Sequence, residues 1–169
     1  IDASVATAFV LAVTHPSAGN IGGGGFLVFM DSTGSATTID FREKAPLKAS
    51  PLMFLDKEGT LAKGINHTGR QTTINHIGAK SIGVPGTVAG LYLAHQKYGS
   101  LPWADLVQPA IEIAEDGFLL TWSLFERETN FEANSPIPFL KAYFRKDGGE
   151  LTQFGELWKQ TELANTLSE

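Results

Sequence analysis

The sequence predicts an α+β fold, and three observations carry that expectation. An alanine-rich apolar stretch opens the chain at Asp2 to Val13, two strand-like runs flank the turn signal Asp31-Ser32-Thr33-Gly34, and apolar residues recur at helical spacing from Val88 onward.

Residues 2 to 13 combine high helix propensity with few charges, so a helix apolar on most sides, and therefore buried, is expected there. After the Thr14-His15-Pro16 break and the Gly19-Asn20 turn signal comes the glycine run Gly22 to Gly25. Phe26 to Met30 follows, an uninterrupted apolar run that reads as a strand buried on both faces. Asp31 to Gly34 reads as a hairpin turn. The return strand, Thr37 to Arg42, alternates: Ile39 and Phe41 face one way, and Thr38, Asp40 and Arg42 the other. Pro46 stops that strand, and Leu47 to Leu55 reads as a short helix or turn with Pro51 at its start. From Asp56 to Ile82 polar residues and glycines dominate with little periodicity, which predicts a long connection containing at most brief elements.

Beyond Pro85, the spacing of Val88, Leu91, Ala94 and Tyr98 predicts a helix that Gly99 ends, with Gly86, Ala89 and Gly90 permitting close packing. Pro102 opens the next helix, whose stripe is Leu106, Val107, Ala110, Ile111 and Ala114, with Gly117 as its stop. Pro109 lies inside it and predicts a kink, since proline in a regular helix interior costs ~3 kcal/mol. Residues 122–131, 139–144 and 154–167 suggest further helical pieces. The expected division is therefore 1–85, a helix and hairpin with a long connection, and 86–169, a helical part. The chain starts inside one expected helix and ends inside another, so it reads as a fragment.

The 169 residues suffice for one hydrophobic core. Thirteen basic against eighteen acidic side chains give a net charge of −5, which argues against a nucleic-acid binder relying on a basic face. All the excess negative charge falls after residue 85, and it predicts a solvated acidic surface there. The absence of cysteine removes thiol nucleophiles, disulfides and thiolate metal sites. The longest apolar run, Val5 to Val13, falls short of the ~20 residues that span a bilayer, so no membrane span is expected.

The glycine run precedes a strand, whereas a phosphate-binding loop follows one and opens a helix. Close backbone approach in a packed core is its favoured reading. His15, His67, His76 and His95 are scattered without metal-ligand spacing, so no metal or cofactor is expected, and His95 reads as an exposed or capping residue. Asn66-His67-Thr68 matches a glycosylation acceptor triplet that matters only in a eukaryotic secretory route.

The dense segment is Thr38-Ile39-Asp40-Phe41-Arg42-Glu43-Lys44-Ala45-Pro46, where charged groups crowd the end of a core strand. One reading is a local ion network, with Arg42 paired to Asp40 on the same face and Lys44 in solvent. The other is that Arg42 offers a planar fork to a carboxylate ligand, which lysine matches less well. Both hold together if Asp40 orients Arg42.

These residues resemble the N-terminal part of the large subunit of gamma-glutamyltransferases, glutathione hydrolases of the N-terminal nucleophile hydrolase superfamily. The resemblance runs through Asp2 to Ala8, His15-Pro16, Gly19 to Phe26, Asp40 to Pro46 and Met53 to Asp56. It continues through Gly83 to Gly90, Tyr98-Gly99, Leu101 to Trp103, Gln108 to Ala110 and Asp116 to Phe118. It implies an αββα sandwich built from two chains cut from one precursor, with the nucleophilic threonine on the small subunit and no catalytic residue in this chain. It also implies that Arg42, the arginine of Phe-Arg-Glu-Lys-Ala-Pro, binds the α-carboxylate of a γ-glutamyl donor such as glutathione. A periplasmic or secreted location follows from the same resemblance. The alternatives are a non-catalytic, self-associating fragment, or a relative acting on cephalosporin side chains or poly-γ-glutamate.

Overall fold

A computed structural model describes residues 1–18, 21–66, 69–76, 78–134, 145 and 149–169. The Gly19-Asn20 turn signal, His67 and Thr68 of the acceptor triplet, and the 139–144 segment lie outside the described residues. The elements in chain order are α1 (Asp2–Thr14), β1 (Phe26–Met30), β2 (Ala36–Asp40), β3 (Lys63–Ile65), β4 (Gln71–Thr73), α2 (Thr87–Tyr98), α3 (Trp103–Asp116), β5 (Phe118–Leu119), α4 (Trp122–Asn134), β6 (Leu157–Trp158) and α5 (Thr161–Ser168). Helices and small antiparallel sheets coexist, as an α+β fold requires. Among the described residues no helix is long and apolar enough to cross a membrane.

The contacts divide into two compact units. The first comprises Ile1–Lys44, Val84–Phe118 and Lys159–Glu169. Its core joins Val5, Phe9 and Val13 of α1 to Leu91 of α2, to Leu106, Val107, Ala110 and Ala114 of α3, and to Ala164 of α5. The stripe expected on α3 is thus the buried one, and the helix continues through Pro109 to Asp116. Gly117, at φ 89°, then stops it in a conformation that favours glycine. On α2 the buried positions are Thr87, Gly90, Leu91 and Ala94, whereas Val88 and Tyr98 of the expected stripe sit more exposed. Trp103 closes the aromatic end of this core, its ring edge-on to Phe9 at 5.4 Å and to Tyr92 at 5.2 Å. Gln160 is buried and satisfies two helix ends: its Nε2 donates to the Val13 carbonyl (2.9 Å), and its backbone N–H to the Ala114 carbonyl (2.8 Å).

The hairpin pairs Phe26 with Asp40, Leu27 with Ile39, Val28 with Thr38, Phe29 with Thr37 and Met30 with Ala36. Its turn is where the sequence placed it. The Asp31 carboxylate accepts the N–H groups of Thr33 and Ser35 and the Thr33 hydroxyl, and Gly34 takes φ 86°. Ile39 is buried while Thr38 and Asp40 are exposed, so β2 alternates as expected. β1 departs from expectation: Phe26, Val28 and Met30 are 65%, 77% and 68% exposed, so only the Leu27 and Phe29 side turns inward. The physical reason is the two-stranded sheet, whose outer face has no covering layer among the described residues.

The second unit comprises Ala45–Gly83 and Leu119–Trp158. Residues 46–55 form successive turns, Ala49 N–H to Pro46, Met53 N–H to Ser50 and Leu55 N–H to Leu52. Among the described residues the long connection contains brief elements only, the β3–β4 hairpin and a 3₁₀ turn at Ala79–Ser81. Its turns repeat the chemistry of Asp31: the Asp56 carboxylate accepts from Glu58 and Thr60, and the Asn66 amide oxygen from Arg70. The expected 154–167 helix begins only at Thr161. Gly155 at φ 79° and the pairing of β6 hold residues 155–158 out of helical geometry.

Candidate functional site

The strand β2 carries the site. Phe41 continues its pairing toward the glycine run, donating to the Gly25 carbonyl at 3.0 Å, and Lys44 then bridges to Val84 by hydrogen bonds of 3.2 and 2.7 Å. Residues 41–44 therefore lie between the glycine run on one side and the segment entering α2 on the other. Gly86 and Thr87 close the arrangement, both donating to the Gly23 carbonyl (2.9 and 3.1 Å).

Close approach explains the glycines, as the sequence reading favoured. A Cβ on Gly24 would stand 2.6 Å from the Phe41 carbonyl oxygen and 2.9 Å from the Arg42 Cα, and one on Gly86 would overlap the Phe41 carbonyl. On α2, Gly90 faces the Phe41 side chain so tightly that any Cβ would overlap its Cγ, Cβ and Cδ1. The expectation that Gly86 and Gly90 permit close packing is met by this one aromatic residue.

Above that socket is an open cleft of about 270 Å³. Asp40, Arg42 and Lys44 line it with Val84, Pro85, Gly86, Ala89 and Leu93. The Arg42 side chain is 65% exposed, and its Nε lies 3.3 Å from Glu43 Oε2. Asp40 does not pair with the guanidinium: its Oδ1 accepts the Arg42 backbone N–H at 3.0 Å. The ion pair expected between Asp40 and Arg42 is thus replaced by a main-chain contact from Asp40 and a side-chain contact from Glu43. Glu43 escaped the sequence reading because strand alternation places neighbours on opposite faces, and β2 has already ended at Asp40. With Glu43 on the Nε side, the terminal edge of the guanidinium meets no partner among the described residues and can receive a carboxylate through two parallel N–H bonds.

The other sequence candidates lie elsewhere. His95 is in contact with the Trp103 ring and places Nε2 2.7 Å from the Leu101 carbonyl, so it ties down the α2–α3 loop. Among the described residues no cluster of His, Asp or Glu is placed to hold a metal ion.

The sequence model of the family described as gamma-glutamyltranspeptidase matches residues 1–169. The chain belongs to the gamma-glutamyltranspeptidase family. It is 41% identical over 170 residues to the glutathione hydrolase proenzyme of Escherichia coli K12, covering 99% of this chain and 27% of that protein. The gamma-glutamyltranspeptidase of Helicobacter pylori superposes with a TM-score of 0.86 at 42% identity, covering 99% of this chain and 46% of that one. The gamma-glutamyltranspeptidase of Pseudomonas nitroreducens complexed with L-DON gives a TM-score of 0.80 at 40% identity over 98% of this chain and 45% of that one. The chain thus spans about a quarter of the curated relative's length and under half of each solved chain.

Proposed function

We propose that this chain is the N-terminal part of the large subunit of a gamma-glutamyltransferase, and that Arg42 binds the α-carboxylate of the γ-glutamyl donor, glutathione or a related γ-glutamyl compound. The observation that carries the reading is the exposed Arg42 fork in the cleft, backed by Glu43 on one edge and open on the other. Guanidinium and carboxylate match in plane and spacing, so the pair orients the donor as well as holding it.

In the assembled protein a second chain from the same precursor supplies the threonine nucleophile. The word proenzyme in the name of the Escherichia coli relative supports such processing. The threonine oxygen attacks the γ-glutamyl carbonyl carbon, its own α-amine takes the hydroxyl proton, and the amine leaving group departs protonated. Water or an acceptor amine then resolves the acyl-enzyme. Arg42 moves no proton in this scheme; it positions the donor. The chain by itself is inactive, and the assembled protein works in the periplasm or outside the cell.

The test is Arg42→Lys in the assembled protein. Charge stays and the fork goes, so the KM for a γ-glutamyl donor should rise about tenfold or more with a smaller change in kcat. An unchanged KM overturns the assignment.

A further inference from the structure

An exposed arginine grips a ligand well only if something fixes it, and the Arg42–Glu43 pair is too exposed to do so alone. The geometry points to Phe41 and Gly90 as positioning residues for Arg42: Gly90 of α2 admits the Phe41 ring at the cleft wall, and the seated ring sets where the Arg42 fork stands. This rests on the reading of Arg42 as the donor-carboxylate ligand.

Phe41 and Arg42 are consecutive and both line the cleft, with the Phe41 ring packed against Gly25 and Gly90. The ring is confined from two directions. A Cβ on Gly25 would lie 3.0 Å from Cε2, and one on Gly90 would overlap the ring base. Glycine inside a helix is less stable than alanine, yet α2 carries one at this contact, where only a hydrogen fits. Packed interiors transmit displacement instead of absorbing it. A push on the ring therefore moves the Arg42 Cα, since the chain there is held on both flanks by Phe41 N–H to Gly25 and by the Lys44–Val84 bridge. Gly86 and Gly90 also line the cleft, so the wall and the fork share one support.

The experiment uses the assembled two-chain protein with Gly90→Ala, Phe41→Leu and Arg42→Lys in parallel. Each is assayed with a γ-glutamyl anilide and with the same anilide whose α-carboxylate is an amide. Gly90→Ala and Phe41→Leu should each raise KM for the carboxylate donor about 10–100-fold, keep kcat within a few-fold, and lower the preference for carboxylate over amide. Phe41→Leu carries the test if Gly90→Ala does not assemble, since it adds no atom to the socket. Unchanged preference in Phe41→Leu beside a collapsed preference in Arg42→Lys overturns the positioning role alone. Unchanged preference in Arg42→Lys overturns the reading of Arg42 and this inference with it. An equal loss on both donors with kcat falling marks a purely structural contact and also overturns it.

Discussion

The carboxylate of Asp2, at the start of α1, clamps Ser100 in the loop between α2 and α3. It accepts the Ser100 hydroxyl at 2.6 Å and the backbone N–H of Ser100 at 3.0 Å, and Leu101 N–H adds a third donor at 3.1 Å. These bonds hold the carboxyl below the usual aspartate value of 3.8, the Ser100 hydroxyl contributing most. The turn carboxylates Asp31 and Asp56 are lowered in the same way by Thr33 and Thr60.

A native carboxyl with a lowered pKa binds fewer protons than the unfolded chain, so its stabilisation is complete above pH ~4 and is lost as pH falls through the native value. Thermal melts of the chain between pH ~2 and ~5 should therefore show Tm falling with acid. In Asp2→Ala the Tm should be lower at neutral pH and the acid slope shallower. An unchanged slope shows that Asp2 is not one of the responsible groups.

Gln160 tests the helix ends. Its side chain reaches the Val13 carbonyl from the position that caps α5, 147 positions away, in a buried setting. Gln160→Leu keeps much of the volume and strands that carbonyl, so urea unfolding should show a loss of about 1–3 kcal/mol with little change in m. A neutral outcome means that another donor reaches Val13.

How far these features can be read in the sequence depends on the range of the interaction. Helix α1, the hairpin turn at Asp31 and the stops at Gly99 and Gly117 are local, and periodicity and turn chemistry foretell them. The glycine run could be read as close approach, but its partner Phe41 could not, because that contact joins segments far apart in sequence. β1 misled for a related reason: an all-apolar run states that both faces avoid water, and Phe26, Val28 and Met30 find no cover within the described residues. At the proposed site, the motif singled out Arg42, and the structure sets it at the cleft. Glu43 was missed because alternation applies only while the strand lasts.

The two carboxylates beside Arg42 should separate on substitution. Asp40 acts through an acceptor oxygen on the Arg42 N–H, which asparagine retains, so Asp40→Asn should leave KM within about twofold while Asp40→Ala raises it further. Glu43→Gln removes an exposed ion pair of the kind worth ~0.2–1 kcal/mol, so KM should rise by no more than about fivefold. A larger effect of Asp40→Asn than of Asp40→Ala contradicts the main-chain role, and double-mutant cycles with Arg42→Lys should place the stronger coupling on Glu43.

The outer face of the hairpin supplies the last prediction. Phe26, Val28 and Met30 stand in one row on β1, opposite Asp40, Thr38 and Ala36 on β2. A flat, apolar strand face beside open sheet edges invites pairing with another chain. The isolated chain should therefore self-associate, with a sedimentation coefficient that rises with concentration. Val28 is 77% exposed, so Val28→Lys costs no core packing, and its charge at the centre of the row should shift the chain toward monomer. If the αββα sandwich that the family resemblance implies covers this face in the assembled protein, the same lysine should impair assembly. Weakened self-association of the isolated chain together with unimpaired assembly would show that the hairpin face serves only contacts between copies.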